Sequence, residues 1–582
     1  MPARAKRARR LAACTALVLS AGMLLAAPAS ADDVTPAPHR ATQPRVPALD
    51  AQPTLTLPKH PAKKKPSAAA SDSAKAAAPA APRFDVDGDG YSDMLYRGID
   101  GHYSLVPADG AGPYAFAVHT GDPDEQLKDV ITPGDLNGDG APELFTLTAD
   151  GTLSIHQLLD PSTSGHADWS GRGWQKYNKV AAPGDLTGDG RGDLLARTPS
   201  GDLYLYAATG NVTGAPFKAG VKVGYGWGVY DQIVGANDVN GDGIGDIYTR
   251  TFTGDVYYYA GTGDAAAPYK ARVKVGYGWD VYNQIVPVDD ATGDGLGDLL
   301  GRTPGGTLYF YESTGDGTFL KRTAGGTGWN VSSHFAGQGG NPFFGKSGLM
   351  ARTTGGTLYW YYGLNNAKLS ARTKASDDGG WAGAAISLAS SLDNDGYADL
   401  LEISGGTLYN QGSSLGGGWG DYDALIGPGD LSGDGKGDLL ARTKSGDLYL
   451  YRGNGSGTGF AARIKVGFNY GIYDKIIGAG DLDGDGLSDV VGRTPSGTLY
   501  MYRSTGNASA PFTKYRTVIG VNFDIYRQWV APGDISGDGK ADLIGVDSKG
   551  DAYLHTSTGV PSEPLSEPVK IGYGWDIYNG LY

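Results

Sequence analysis

Asp481-Leu-Asp-Gly-Asp-Gly-Leu-Ser-Asp489, followed at once by Val490-Val-Gly-Arg493, is the stretch whose reading decides the fold. Nine residues interleave carboxylates with glycines, and an apolar run follows. Asp85-Val-Asp-Gly-Asp-Gly-Tyr-Ser-Asp93 and Asp185-Leu-Thr-Gly-Asp-Gly-Arg-Gly-Asp193 repeat it, and the pattern returns ten times at intervals of about fifty residues. A fixed period of that length marks a repeat architecture.

Working outward from the copy at Asp185, Leu194–Thr198 reads as a short strand and Pro199-Ser200-Gly201 as a turn. Asp202-Leu-Tyr-Leu-Tyr206 alternates and is aromatic, so it reads as a second strand. Val221–Trp227 reads as a third and Tyr230–Val234 as a fourth, leading into the next acidic loop at Asp238. Nothing in the unit has helical period. Four short strands in about fifty residues is the content of one propeller blade, so the expected fold is an all-β propeller of about ten four-stranded blades. The chain ends just after a fourth-strand segment, Tyr578 to Tyr582, and the first unit lacks a good strand before its loop. A last strand completing the first unit would close one ring of ten, the favoured reading. Two rings of five, divided near residue 337, is the alternative, since rings of four to eight blades are usual.

The loop itself is built for a hard cation. Calcium takes six to eight oxygens in a flexible shell. Side chains at positions 1, 3 and 5 and a carbonyl at 7 supply them, glycine at 6 permits the sharp turn, and a last carboxylate comes at position 9. Flanking strands exclude a helical calcium sensor. Three or four carboxylates in register repel one another without a cation, so a mere Asp-Gly turn does not explain them. Magnesium, with its strict octahedron, fits less well.

These loops and strands resemble FG-GAP repeats, also known as VCBS repeats, which form the propeller of integrin alpha-subunit heads and of many secreted bacterial proteins. The resemblance covers residues 84 to 582 and implies a calcium-stabilised β-propeller that presents loops for binding. It carries ligand roles onto Asp85, Asp87, Asp89, Tyr91 (by its carbonyl) and Asp93, and onto Asp135, Asn137, Asp139, Ala141 and Glu143. The third and fourth copies offer Asp185, Thr187, Asp189, Arg191 and Asp193, then Asp238, Asn240, Asp242, Ile244 and Asp246. The fifth offers Asp290, Thr292, Asp294, Leu296 and Asp298. Ser391, Asp393, Asp395, Tyr397 and Asp399 make a copy with Ser at its head. Asp430, Ser432, Asp434, Lys436 and Asp438 come next, then Asp481, Asp483, Asp485, Leu487 and Asp489, then Asp534, Ser536, Asp538, Lys540 and Asp542. The sixth copy, Gly340-Asn-Pro-Phe-Phe-Gly-Lys-Ser-Gly348, has lost every carboxylate, which leaves nine expected structural calcium sites.

The N-terminus reads as a secretory signal over residues 1–31: a basic n-region, an apolar stretch Leu11–Ala27, and Ala29-Ser-Ala31 as the cleavage site. Residues 32–83, rich in Pro, Ala and Lys, read as a disordered linker, and residues 84–582 as the propeller. The expected location is therefore extracellular, with cell-wall association through the linker's basic cluster as an option. Cys14 is the only cysteine, so the mature chain has no disulfide and its loops need another staple. The net charge of −14 argues against a nucleic-acid partner. No second hydrophobic span follows the signal.

For chemistry, the histidines at 102, 156, 166, 334 and 555 fall at unrelated places in their units, and no catalytic constellation emerges. A P-loop string at Gly340 sits in a decayed metal loop, and the Arg191-Gly-Asp193 tripeptide ends on an expected ligand. The recurrent Arg197, Arg250, Arg302, Arg352, Arg442 and Arg493 are expected to pair with carboxylates or carbonyls between blades. The recurrent Trp227, Trp279, Trp329, Trp381, Trp419 and Trp575 are expected to pack between blades; exposed faces would instead suit sugar rings. The leading expectation is a secreted calcium-binding scaffold or binding module, not an enzyme, with an extracellular polysaccharide or a surface protein as partner. A lectin is the first alternative, and a polysaccharide lyase or hydrolase the second.

Overall fold

The computed structural model describes residues 39–42, 46, 52–58, 80–120, 125–158, 160–337, 347–393, 395–560 and 563–582. The signal segment with Cys14 and most of the decayed copy at 340–348 lie outside the described residues.

Among the described residues there are ten antiparallel sheets, each with the four strands of a blade and one of them extended by a fifth. In blade 3, from inside outward, the strands are Lys179–Gly184, Asp193–Arg197, Leu203–Tyr206 and Val221–Gly224. The fifty-residue sequence unit is thus offset from the blade. Tyr230–Asn237, the fourth strand of the unit, crosses over to become the innermost strand of blade 4. The third strand is also shorter than its sequence suggests. It stops at Gly224, and Gly226, in the left-handed region at φ 72°, turns the chain into a short 3₁₀ turn at Trp227–Val229.

Strand pairing decides the ring count. Ser332–Phe335 pairs with Met94–Gly98, so the fifth unit hands its last strand back to blade 1. Tyr578–Leu581 pairs with Gly348–Thr353, so the tenth hands its strand back to blade 6. The all-β propeller is as expected, but the single ring of ten is not: two rings of five meet near residue 337. The hydrophobic core says the same. It is divided into ten clusters, each wedged between neighbouring blades, including one joining Leu300 and Phe310 to Met94 and Tyr96, and one joining Ile544 and Leu554 to Leu349 and Ala351.

The recurrent Trp and Arg hold blades together. Trp279 is 7% exposed and lies 4.4 Å, centroid to centroid, from Tyr311 of the next blade; Trp575 stacks on Tyr361 at 4.6 Å across the closure of the second ring. Arg493 donates to the carbonyls of Phe523 at 3.0 Å and Tyr526 at 2.6 Å in the next blade, while Asp474 holds its other edge at 2.8 Å. Arg197, Arg250, Arg302, Arg352 and Arg442 repeat this clasp on the corresponding carbonyls.

Two pieces of the stretch read as linker are built into the rings. Thr54–Leu55 adds a fifth, outer strand to blade 5 through Thr54–Thr327 and Leu55–Gly326, and the Trp329 indole donates to the Thr54 carbonyl at 2.8 Å. Thr42 N–H donates to Ala375 at 2.7 Å, and His39 meets the Glu402 carboxylate at 2.7 Å. These pairings correct the reading of residues 32–83 as disordered throughout. Arg83 then docks at the ends of three inner strands, paired with Asp289 and donating to the carbonyls of Ala182 and Gly235.

Candidate metal centres

Each acidic loop links the innermost strand of a blade to the next strand out, so all loops of one ring open on the same face. The loop at Asp481 shows how it is held. Asp481 accepts N–H groups from Gly484 at 2.7 Å and Gly486 at 2.8 Å, one on each carboxylate oxygen. Asp485 accepts from Leu487 at 2.9 Å, and Asp489 accepts from Leu482 at 3.1 Å and, across the blade, from Ser504 at 3.2 Å. The same bonds recur at Asp85, Asp135, Asp185, Asp238, Asp290, Asp430 and Asp534. Backbone donors thus curl the chain so that the acids converge, each oxygen keeping a lone pair for another partner.

Three loops bring carboxylate oxygens from three residues within 4.8 Å of one another: Asp85, Asp87 and Asp93; Asp135, Asp139 and Glu143; Asp481, Asp483 and Asp489. That is the span two oxygens reach across one cation when each lies about 2.4 Å from it. The loops with Thr, Asn or Ser at position 3 have fewer acids to converge. In two of them, Thr187 and Thr292 hold a buried hydroxyl oxygen without a hydrogen-bond partner, a group that a cation would satisfy.

The electrostatics agree. Burial, and then the charges of Asp87 and Asp85, push Asp93 up to about 7. Glu143 is pushed up to about 7 and Asp298 up to about 8, again by burial first and neighbouring loop acids after. Asp489 and Asp542 are raised well above the usual carboxylate range by burial and by the other acids of their loops. Carboxylates packed this way resist ionisation unless a positive charge joins them. The protein's own donors also reach these acids. The Asn137 amide donates to Asp139 at 3.0 Å and Glu143 at 2.8 Å, and Arg503 pairs with Asp483 and, at 3.4 Å, with Asp485.

Two further features escaped the sequence. The first is a cavity of about 500 Å³ between the rings. Lys128, Lys179, Gln284 and His334 line it from the start of the first ring's inner strands, and Asp481 and Asp534 line it from the second ring's loops. His334 is tied to Asp129 at 2.7 Å inside it.

The second feature is a set of exposed rings. Tyr225, Tyr277 and Tyr573 are 83–86% exposed and Phe468 76%. Each directly precedes the left-handed residue, Gly226, Gly278, Gly574 or Asn469, that opens the 3₁₀ turn. The turn faces one aromatic outward and, two residues on, buries the next. The Lys three residues before each makes an ion pair: Lys222–Asp202 at 2.8 Å, and Lys274–Asp255, Lys465–Asp447 and Lys570–Asp551 at 2.7 Å. The flanking glycines are no signal for this exposure, since Trp227 and Trp419 also lie between two glycines and are buried.

Among the described residues no helix is long and apolar enough to cross a membrane. No curated protein matches the chain. Among solved structures it is similar to Sqt1 of Saccharomyces cerevisiae, at 12% identity over 78% of this chain and 98% of that one, with a TM-score of 0.23. It is likewise similar to the BP39L lectin of Burkholderia pseudomallei, at 11% identity over 77% of this chain and 100% of that one, with a TM-score of 0.20. FG-GAP-like repeats match residues 85–146, 430–492 and 481–545, each span holding two of the acidic loops described above.

Proposed function

We propose that this chain is a calcium-stabilised pair of propellers serving as a binding or scaffold module at or outside the cell surface. The observation that carries the reading is the repeated loop, in which backbone donors converge buried acids and leave hydroxyls such as those of Thr187 and Thr292 unpartnered. Bound calcium would supply the positive charge that these acids lack. The chain's own residues shape the site: positions 1, 3, 5 and 9 by side chain and position 7 by carbonyl. The ions are structural staples in a chain without disulfides, and export rests on the signal segment of the sequence. A calorimetric melt with and without chelator tests this. A drop of ten degrees or more on chelation is expected, and an unchanged melt refutes it.

A second reading has its own observation. The recurrent Trp side chains are buried and offer no platform, but Tyr225, Tyr277, Phe468 and Tyr573 do. A flat aromatic face, with the Lys three residues before it already ion-paired, suits a neutral polysaccharide. Binding to immobilised polysaccharides separates the cases. Tyr277→Ala is expected to weaken binding while leaving the melt unchanged, whereas Trp279→Ala costs about 3–5 kcal/mol of stability. No binding to any polysaccharide refutes the glycan reading and leaves the scaffold reading standing.

A further inference from the structure

The loops of the two rings have different surroundings. In all five loops of the first ring the position-5 acid is exposed: Asp89, Asp139, Asp189, Asp242 and Asp294. In the second ring Asp395 is exposed too, but Asp434, Asp485 and Asp538 are half-buried. What covers these three loops is the first ring. Arg302 donates to the Gly537 carbonyl at 2.6 Å and Asn283 to the Ser536 carbonyl at 3.4 Å. A side chain at Gly435 would meet the Asp150 backbone nitrogen at 2.6 Å, and one at Gly486 would meet Asn178 at 2.9 Å. Phe252, at the tip of a first-ring hairpin, lies over Gly484 and Gly559. At Gly435 and Gly486 the opposing ring leaves no room for a side chain, while Phe252 rests against Gly484 in ordinary van der Waals contact.

Charge matches shape. The three covered loops carry ten carboxylates, three at 430–438, four at 481–489 and three at 534–542. Three divalent cations would cancel six of those charges. The first ring presents cations to the remainder: Lys128 feels Asp481, Asp430 and Asp485, Lys179 and Arg197 feel Asp481, and Arg302 feels Asp534 and Asp538. Lys540, 3.1 Å from Asp538, and Arg503, paired with Asp483 and Asp485, answer part of that charge from within the second ring.

We infer that the loops at Asp430, Asp481 and Asp534 form a cation-dependent docking surface whose partner is the opposite face of the first ring, so that loading them locks the two rings together. The inference rests on the calcium reading above and adds an interface to it. By linkage, whatever weakens the seam weakens cation binding in those three loops by the same factor.

The test uses the full mature chain. Small-angle scattering in calcium and in chelator, with circular dichroism alongside, is expected to show a larger radius of gyration on chelation while the strand signal persists. Equilibrium dialysis with calcium then compares wild type with the charge-neutral changes Phe252→Ala and Asn283→Ala, neither of them a loop residue. Both variants are expected to weaken three of the bound ions by roughly 5- to 50-fold and to leave the rest unchanged. If chelation unfolds the rings, the dialysis result decides alone. Wild-type affinity in both variants, or folded rings of unchanged radius after chelation, overturns the seam while calcium stabilisation stands. Absence of any calcium binding overturns the calcium reading and the seam together.

Discussion

Tyr578→Ala distinguishes the two closed rings from any single ring. Tyr578 is 2% exposed and sits on the strand that closes the second ring. Its hydroxyl bonds to that of Tyr361 at 2.6 Å, its ring packs edge-on against Tyr361 at 6.1 Å and Trp575 at 5.7 Å, and Arg372 donates to it at 3.1 Å. Removing a buried aromatic costs about 3–5 kcal/mol, and the lost hydroxyl bonds keep the value in the upper half of that range. For a ring of this size, residues 347–582, about 4 kcal/mol lowers the melting temperature by roughly 8–16 °C. The damage should stay in one ring. Hydrogen exchange followed by peptide mass spectrometry is expected to rise in 348–353 and 578–581 and to stay at wild-type levels in 94–98 and 332–335. Phe335→Ala, on the strand that closes the first ring, should show the mirror image. Equal loss of protection in both rings from either substitution would refute the pairing argued here.

Arg493→Met leaves the Phe523 and Tyr526 carbonyls without their donor and Asp474 without its partner. A loss of about 3 kcal/mol in chemical denaturation is expected, and wild-type stability would show the clasp to be idle. His156, fully buried and bonded to Thr146 at 3.0 Å, is held down to about 4 by burial, against about 6.5 in an unfolded chain. It therefore stays neutral in the fold while the unfolded chain takes up a proton. Its contribution, about 3 kcal/mol, is fully present above about pH 6.5 and is lost as pH falls toward 4. The difference between wild type and His156→Gln, measured in saturating calcium, should follow that curve; a pH-independent difference would show otherwise.

Much of this was legible in the sequence for a physical reason. The acidic loop and the alternating aromatic strand are local patterns with local causes, so blade content, loop positions and the inter-blade roles of the Arg and Trp could be read directly. Ring closure has no local signature. Ser332–Phe335 and Tyr578–Leu581 look like every other inner strand, and nothing in them says whether they pair forward or back. The loss of carboxylates at 340–348 breaks the regularity where the first ring has ended, but on its own it cannot say that a new ring begins. Thr54–Leu55 was missed because two paired residues in a Pro- and Ala-rich stretch carry too little pattern to stand out. The exposure of Tyr277 and its counterparts has no local signature, because only the 3₁₀ turn decides that the Tyr faces out and the Trp two residues on is buried.

The offset between sequence unit and blade bears on how such a chain can grow. Each unit receives its inner strand from the unit before and passes one on, so a duplicated unit would slot in as a complete wedge with no unpaired sheet edge on either side. Only the last strand has to find the first hairpin. Blade number in each ring is therefore set by the wedge angle that the packed aromatics allow, and a ring that gained one unit too many would fail at its closing strand rather than at the new blade.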